Sequence, residues 1–333
     1  MILQKRYHYI DVAKLMGLYL MILCHQTLVS SNISSFVYSF HMPLFFLVSG
    51  VFHKEREFYV NIKQIWRSLI VPYLLIALSF CLLYLVLRWR KDVLSDSYWD
   101  FAIGTFISPG KSYHSLSTFC IYIWFLLVLA EIKIISAFTE SKGILCTMTI
   151  GSVFAFYVLH VKWGGVMPFQ VDSALMAFPF YVIGFLLKGV VLREGENRNK
   201  LTMILSLIVM FCLLLLLTKW NGICDINSCE YGESLLLYYF NGVLGSLLVI
   251  KLAKLFVLPK TFLPIISVYM SGATLIIGYS AYRTVEIKRL LPVLCNNNLG
   301  GVLIAAIVLA VLYPIILIAS KYFPAILGKR NVC

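Results

Sequence analysis

Ten stretches of this chain are predominantly apolar over 18 to 22 residues each, and this pattern constrains the fold most. A bilayer core of about 30 Å needs about 20 apolar residues per helix, and only helices or closed barrels satisfy the backbone there. The runs are continuous rather than alternating, which favours helices over a barrel. The predicted helices are 9–29, 35–53, 68–88, 119–138, 144–161, 172–191, 201–219, 235–255, 264–283 and 299–320, with a shorter surface helix at 98–107.

The composition supports a chain whose main solvent is lipid. Hydrophobic residues make up 61% and charged residues 13% of the 333 positions, against about 45–50% and about 25% in soluble proteins. One soluble core cannot bury that much apolar surface, so a soluble enzyme, a disordered chain and a nucleic-acid-binding module are excluded. We expect an all-α integral membrane protein with one domain over 1–333, no nucleic-acid partner, and an oligomeric state that the sequence leaves open.

The basic residues indicate an orientation. With ten spans both termini lie on one side, and that side carries 18 of the 28 Lys and Arg residues against nine on the other, with Lys14 inside the first helix. Because cytoplasmic loops are enriched in Lys and Arg, both termini are predicted to be cytoplasmic. The polar loop that holds Cys224 and Cys229 then faces outward, where the pair forms either a disulfide or two free thiols.

The first helix carries three ionisable residues, which are costly in lipid and therefore candidates for function. At 100° per residue, Lys14 and His25 lie on one face about 16 Å apart along the axis, and Asp11 shares that face. The simpler interpretation is an interfacial Asp11–Lys14 pair with His25 at the helix end. The functional one is a polar stripe from the inner surface to the outer.

A second histidine, His41, follows in the next helix. The loop at 30–34 is short, so helices one and two form a hairpin in which His25 and His41 lie at similar depth. Pro43 removes a backbone hydrogen bond and opens a polar site nearby. Two imidazoles at one depth are typical of proton transfer to or from a hydroxyl; the alternative is a helix-bridging hydrogen bond. No third metal ligand is obvious, although Asp172 is not excluded, and no metal is predicted.

Further polar residues give weaker signals. Asp172 is either a site residue or an acid in the first turn of helix six. Trp124 is either a ligand contact or an interface anchor. The segment 53–67, which includes Arg67, is explained by positive-inside placement or by a seat for a phosphate-bearing cytoplasmic ligand.

Several of these residues fall in motifs that resemble the membrane-bound acyltransferase-3 family, most of all its fucose 4-O-acetylase-like and surface-polysaccharide O-acetyltransferase branch. The similarity covers residues 6–190 well and rests on helix count beyond them. The Lys-x10-His spacing together with the Phe-His-Met-Pro run is its fairly specific part. Its motifs are Arg6-x4-Asp11-x2-Lys14-x10-His25, Phe40-His41-Met42-Pro43-Leu44-Phe45-Phe46-x2-Ser49-Gly50, Pro72-Tyr73, Trp124-Phe125-Leu126 and Asp172-x-Ala174-Leu175-x3-Pro179-Phe180-x3-Gly184.

The resemblance implies a ten-helix domain that uses cytoplasmic acetyl-CoA and acylates a glycan hydroxyl on the outer face. His25 would be the catalytic imidazole and His41 its neighbour. Lys14 would meet the CoA phosphates or hold the acyl arm. The chain departs from the family at 271–279, where relatives often carry a histidine and this sequence has none.

We therefore predict an O-acetyltransferase of the inner membrane that acts on a surface polysaccharide or its lipid-linked precursor. Lys14, Asp11 and Arg67 are predicted to shape the acyl-CoA side. Asp172 and Trp124 are predicted to lie on the acceptor side. The main alternative is a transporter or flippase for a glycan or small anion, which would show inverted repeats and paired broken helices. A membrane sensor without chemistry is the third possibility.

Overall fold

A computed structural model describes residues 6–26, 30–54, 57–89, 98–107, 122–139, 141–162, 167–193, 200–256, 259–292 and 298–329. Within these ranges the chain is helical, and extended pairing is confined to one bridge between Asp225 and Glu230. The helices are α1 His8–Cys24, α2 Ser31–Tyr38, α3 His41–Val51, α4 Phe58–Ile65, α5 Val71–Trp89, α6 Tyr98–Ile107, α7 Trp124–Ser136, α8 Lys142–Phe156, α9 Val171–Leu186, α10 Lys188–Val191, α11 Lys200–Asn221, α12 Leu235–Leu255, α13 Leu263–Ser271, α14 Ala273–Leu290 and α15 Asn298–Tyr322.

Seven helical stretches among the described residues are long and apolar enough to cross a bilayer, or eight if one bent pair counts as a single span. They are Ser31–Val51, Phe58–Val86, Lys142–His160, Pro168–Leu186, Lys200–Asn221, Leu235–Leu255 and Asn298–Tyr322, with Leu263–Ser271 and Ala273–Ser280 as the bent pair. The described parts of α1 and α7 have 17 and 13 residues. The all-helical membrane architecture is confirmed, while the count of ten spans and the side of the termini stay predictions.

The exposed surface of α11 shows why lipid is the natural solvent. Leu205, Val209 and Leu216 are 53%, 65% and 69% exposed on this helix. Soluble proteins rarely leave so large a contiguous apolar surface in water. The exposed residues of α11 are therefore suited to contact with acyl chains.

Three of the predicted helices are interrupted. The sixth divides at Leu187, between α9 and α10. The second predicted helix divides at Ser39 and Phe40, where Phe40 adopts φ −141° and ψ −16°. The ninth divides at Gly272, with a bend of 63° between α13 and α14. Hydrophobic periodicity alone gives no signal for these breaks. The predicted helix at 98–107 is present as α6, and its Phe101 ring stacks on Tyr84 of α5.

Small residues bring α3 and α9 into backbone contact at the centre of the bundle. A Cβ atom on Gly50 would lie 1.8 Å from the carbonyl oxygen of Tyr181, and one on Gly184 would lie 2.0 Å from that of Leu47. Glycine at both positions is therefore required for this approach, as is typical of membrane helix pairs. The close contact fixes α3, the helix that carries His41, relative to α9.

Candidate functional site

The two histidines meet where α1 ends and α3 begins. His25 is the residue after α1, and His41 is the first residue of α3. Their ring centroids are 6.4 Å apart with the planes nearly perpendicular. The ring of Tyr122 lies 4.4 Å from that of His25, so aromatic surface backs the pair.

Hydrogen bonds hold both imidazoles. Nδ1 of His25 shares a 2.7 Å hydrogen bond with the Tyr38 hydroxyl. Nδ1 of His41 lies 3.0 Å from the Val37 carbonyl oxygen. Because a carbonyl only accepts, Nδ1 of His41 donates, and the neutral ring then carries its lone pair on Nε2. A histidine held through Nδ1 is oriented for proton transfer through Nε2.

His25, Tyr38 and His41 line a cavity of about 210 Å³. Trp124, at the start of α7, lies on the same cavity, whereas Asp172 is not among the described residues that line it. Part of the cavity lining comes from the loop between α11 and α12. The described lining residues are Met21, His25, Tyr38, His41, Met42, Tyr122, Trp124, Asp225, Asn227 and Ser228.

A thiol adjoins the two imidazoles. Sγ of Cys24 lies 3.9 Å from Nε2 of His41 and 3.3 Å from the Met21 carbonyl, to which it donates. Ligand-type atoms of Cys24, His25 and His41 all lie within 4.8 Å of one another. These three residues could hold a metal ion. The third ligand, which the sequence did not suggest, is Cys24, the immediate neighbour of His25.

The charged residues of α1 lie toward its other end. Asp11 pairs with Arg6 at 2.7 Å, and the Arg6 guanidinium also donates to Ser267 of α13 at 3.1 Å. Nζ of Lys14 lies 5.4 Å from the centre of the Phe52 ring, within the range of a cation–π contact. Arg67 is exposed in the π-helical turn Trp66–Ile70 that joins α4 to α5.

A second cavity, of about 320 Å³, opens at the far end of α3. It is polar and includes two lysines, Lys54 and Lys133, together with Phe52, which Lys14 contacts. Nδ1 of His53 shares a 2.7 Å hydrogen bond with the Tyr181 hydroxyl in its wall. The described lining residues are Ser49, Phe52, His53, Lys54, Asn61, Gln64, Ile65, Ser68, Lys133 and Tyr181.

The helix α3 connects the two cavities. Its 11 residues span about 16 Å, with His41 on the first cavity and Ser49 on the second. Lys14, Asp11 and Arg67 are not among the described residues that line either cavity. Lys14 is connected to the second one through Phe52, and Arg67 directly precedes Ser68 in the chain.

Asp172 is buried at the start of α9, where the chain turns sharply. The preceding residues Phe169 and Gln170 both have positive φ angles, of 61° and 67°. The Asp172 carboxylate accepts from the backbone N–H of Ser173 at 2.9 Å. This environment fits the first-turn acid that the sequence offered as the alternative to a site residue.

Other predicted features fall near the site. Cys224 and Cys229 are buried and are thiols rather than a disulfide. Burial raises the pKa of Cys224 to about 11. In α14, which contains most of the segment without the expected histidine, the Thr284 hydroxyl accepts from the side-chain amide of Gln26 at 3.3 Å. The residue after His25 thus contacts α14.

Sequence reasoning missed Tyr38, Tyr122 and the loop residues Asp225, Asn227 and Ser228. Tyr38 precedes His41 by three positions, a spacing that offers a signal once both are considered helical. Tyr122 and the loop come from distant parts of the chain, so no local pattern connects them to His25.

Residues 7–282 match the profile of the acyltransferase-3 family, described as an acyltransferase domain. Comparisons with curated proteins and with solved structures find no match. The matched region includes both histidines, both cavities and the loop between α11 and α12. It covers well over half of the chain, and it supports acyl transfer by a multi-pass membrane protein. The chain belongs to the acyltransferase-3 family.

Proposed function

We propose that this protein transfers an acetyl group from cytoplasmic acetyl-CoA to a hydroxyl of a cell-surface polysaccharide, or of its lipid-linked precursor, on the outer side of the inner membrane. The observation that carries the proposal is the Tyr38–His25 hydrogen bond on a cavity shared with His41 and Trp124. An oriented imidazole in a cavity is the group that deprotonation of a hydroxyl requires. The family match supports acyl transfer.

In this proposal His25 acts on the acceptor. When Nδ1 carries the ring proton and donates to Tyr38, Nε2 accepts the proton of the acceptor hydroxyl. The oxygen attacks the thioester carbonyl carbon, the carbon–sulfur bond breaks, and the CoA thiolate takes the proton back from His25. His41, held by the Val37 carbonyl, orients the reactants or shares the proton.

A second route differs in the first step. His25 attacks the thioester itself and carries the acetyl group until the acceptor hydroxyl displaces it. Rapid mixing with radiolabelled acetyl-CoA in the absence of acceptor distinguishes the two routes. Only the second gives a burst of protein-bound acetyl equal to the number of sites.

The second cavity supports a binding site for the donor. Ammonium groups of Lys54 and Lys133 are suited to phosphate oxygens. The charge bias of the sequence predicts that this end of α3 faces the cytoplasm. Lys14, Asp11 and Arg67 would shape the same side. The thioester arm would then extend along α3 toward His25, leaving the nucleotide among the basic residues.

The acceptor side would be the cavity of His25 and Trp124, with Asp172 supporting the start of α9. No metal and no nucleic acid take part in the proposed reaction.

Mass spectrometry of surface glycan from cells that lack the gene tests the proposal. Complementation with the intact gene should restore an O-acetyl ester. Complementation with a Trp220→Phe variant, altered at an exposed tryptophan at the end of α11, serves as a control and should restore it equally. Glycan without ester in the cells complemented by the intact gene would overturn the proposal, and a change in glycan export instead would favour the transporter.

A further inference from the structure

The loop 222–234 between α11 and α12 is a folded unit tied to the helix end. The side chain of Asn221 donates to the Tyr231 carbonyl at 2.8 Å and accepts from the Ser234 N–H at 2.9 Å. Its own carbonyl accepts from the Glu233 N–H at 2.8 Å. One fully buried residue thus fastens the returning end of the loop.

The tip of the loop is fixed as well. Asp225 and Glu230 exchange two backbone hydrogen bonds, at 2.7 and 2.9 Å. Gly232 has φ 74°, and a Cβ there would lie 2.0 Å from the Asn221 carbonyl oxygen, so the return requires glycine. Ile226 is buried in the main hydrophobic core beneath the tip.

Contacts with α9 orient the tip toward the histidines. The Ser173 hydroxyl donates to the Asn227 carbonyl at 3.4 Å and lies 3.7 Å from Sγ of Cys229. Ser173 itself is fully buried. Because α9 also packs backbone to backbone on α3, the loop and His41 are held on one rigid frame.

The Asp225 carboxylate is held within this frame. Oδ1 accepts from the Asn227 N–H at 3.0 Å, and Oδ2 accepts from the Ser228 hydroxyl at 2.8 Å. The Asp225 carboxylate lies on the cavity, and carboxylate oxygens are the acceptors that sugar hydroxyls can donate to. A carboxylate, an amide and a hydroxyl on a cavity that also has three aromatic rings form a surface suited to a polyhydroxylated ring.

We propose that the loop 222–234 is the acceptor-recognition wall of the site and that the Asp225 carboxylate binds a hydroxyl next to the one that is acylated. The acceptor is then a sugar ring with two neighbouring hydroxyls, one held by Asp225 and the other presented to His25. The cavity of about 210 Å³ is smaller than the roughly 300–1,000 Å³ of drug-sized sites, so it fits a single ring. This inference rests on the proposed function and adds the substrate class.

The test compares Asp225→Asn with Glu230→Gln in cells that lack the gene. Each substitution removes one negative charge from the same loop, but Glu230 is exposed and is not among the described residues that line the cavity. Asp225→Asn replaces a charged hydrogen-bond acceptor with a neutral one and should lower the amount of glycan O-acetyl ester about tenfold. Glu230→Gln should match the intact protein at equal membrane abundance.

Equilibrium dialysis of the purified full-length proteins with radiolabelled acetyl-CoA separates recognition from folding. Asp225→Asn should bind acetyl-CoA with unchanged affinity, since the donor is proposed to bind at the other end of α3. A normal amount of ester in cells with Asp225→Asn overturns the inference and leaves the proposed function intact. A loss of ester accompanied by a loss of acetyl-CoA binding in this variant also overturns the inference alone. Absence of ester with the intact gene overturns both.

Discussion

Replacing Tyr38 with phenylalanine removes one hydroxyl and keeps the ring that packs against both histidines. The Tyr38 ring lies 5.3 Å from His25 and 5.1 Å from His41 between centroids, so the cavity wall is retained. What is lost is the 2.7 Å hydrogen bond to Nδ1 of His25. A neutral hydrogen bond contributes about 0.5–1.5 kcal/mol, and about 1.4 kcal/mol corresponds to a tenfold change in rate. We expect the transfer rate to fall about 2- to 13-fold.

The assay is radiolabelled acetyl transfer by the purified protein in nanodiscs, with surface glycan from the deletion cells as acceptor. The KM for acetyl-CoA should stay unchanged, because the donor site is proposed at the second cavity. Tyr269→Phe is the matched control, since its hydroxyl donates to the Leu309 carbonyl in a similarly half-buried place away from the site. Equal rates for both variants would refute the orienting role. A loss as large as that from removing His25 would instead indicate that Tyr38 itself reacts.

Three further predictions concern packing, metal and thiol chemistry. Gly184→Ala should lower the melting temperature of the protein in detergent, because the new Cβ would meet the Leu47 carbonyl and overpacking costs about 1–3 kcal/mol. The control Gly151→Ala has open space around the new Cβ and should leave the melting temperature unchanged. Millimolar EDTA should leave the transfer rate unchanged, and a loss restored by zinc would contradict this. The pKa of Cys224 is raised to about 11 from the ordinary 9.0. At pH 8 this thiol should therefore react with iodoacetamide about 100-fold more slowly than N-acetylcysteine, and its rate should rise with pH. Equal rates for the two thiols would contradict the burial of Cys224.

The sequence predicts the helices well where hydrophobicity alone determines them. The predicted helix 235–255 matches α12 at both ends, and 299–320 differs from α15 by one and two residues. The breaks at Phe40 and Gly272 are different, because they depend on contacts. A Cβ on Gly272, for example, would lie 2.5 Å from the Ile316 side chain of α15. Such contacts leave no periodic signal in either segment.

The candidate site is likewise predictable from the sequence only in part. Helical geometry and a short loop are enough to predict that His25 and His41 lie at one depth. The Tyr38 contact, the Trp124 wall and the loop 222–234 require the tertiary packing. The motif glycines show the link between the two levels, since Gly50 and Gly184 stand out in sequence but their reason is the contact between α3 and α9.

The most direct test of the account is acetyl transfer by His25→Asn in nanodiscs, measured beside the intact protein at equal amounts. Asparagine keeps a polar side chain of moderate size but cannot take the proton. General-base catalysis contributes about 10²- to 10⁴-fold, so we predict a rate lower by at least about 100-fold with acetyl-CoA binding retained. A His25→Asn variant that transfers acetyl at the intact rate would contradict the central claim.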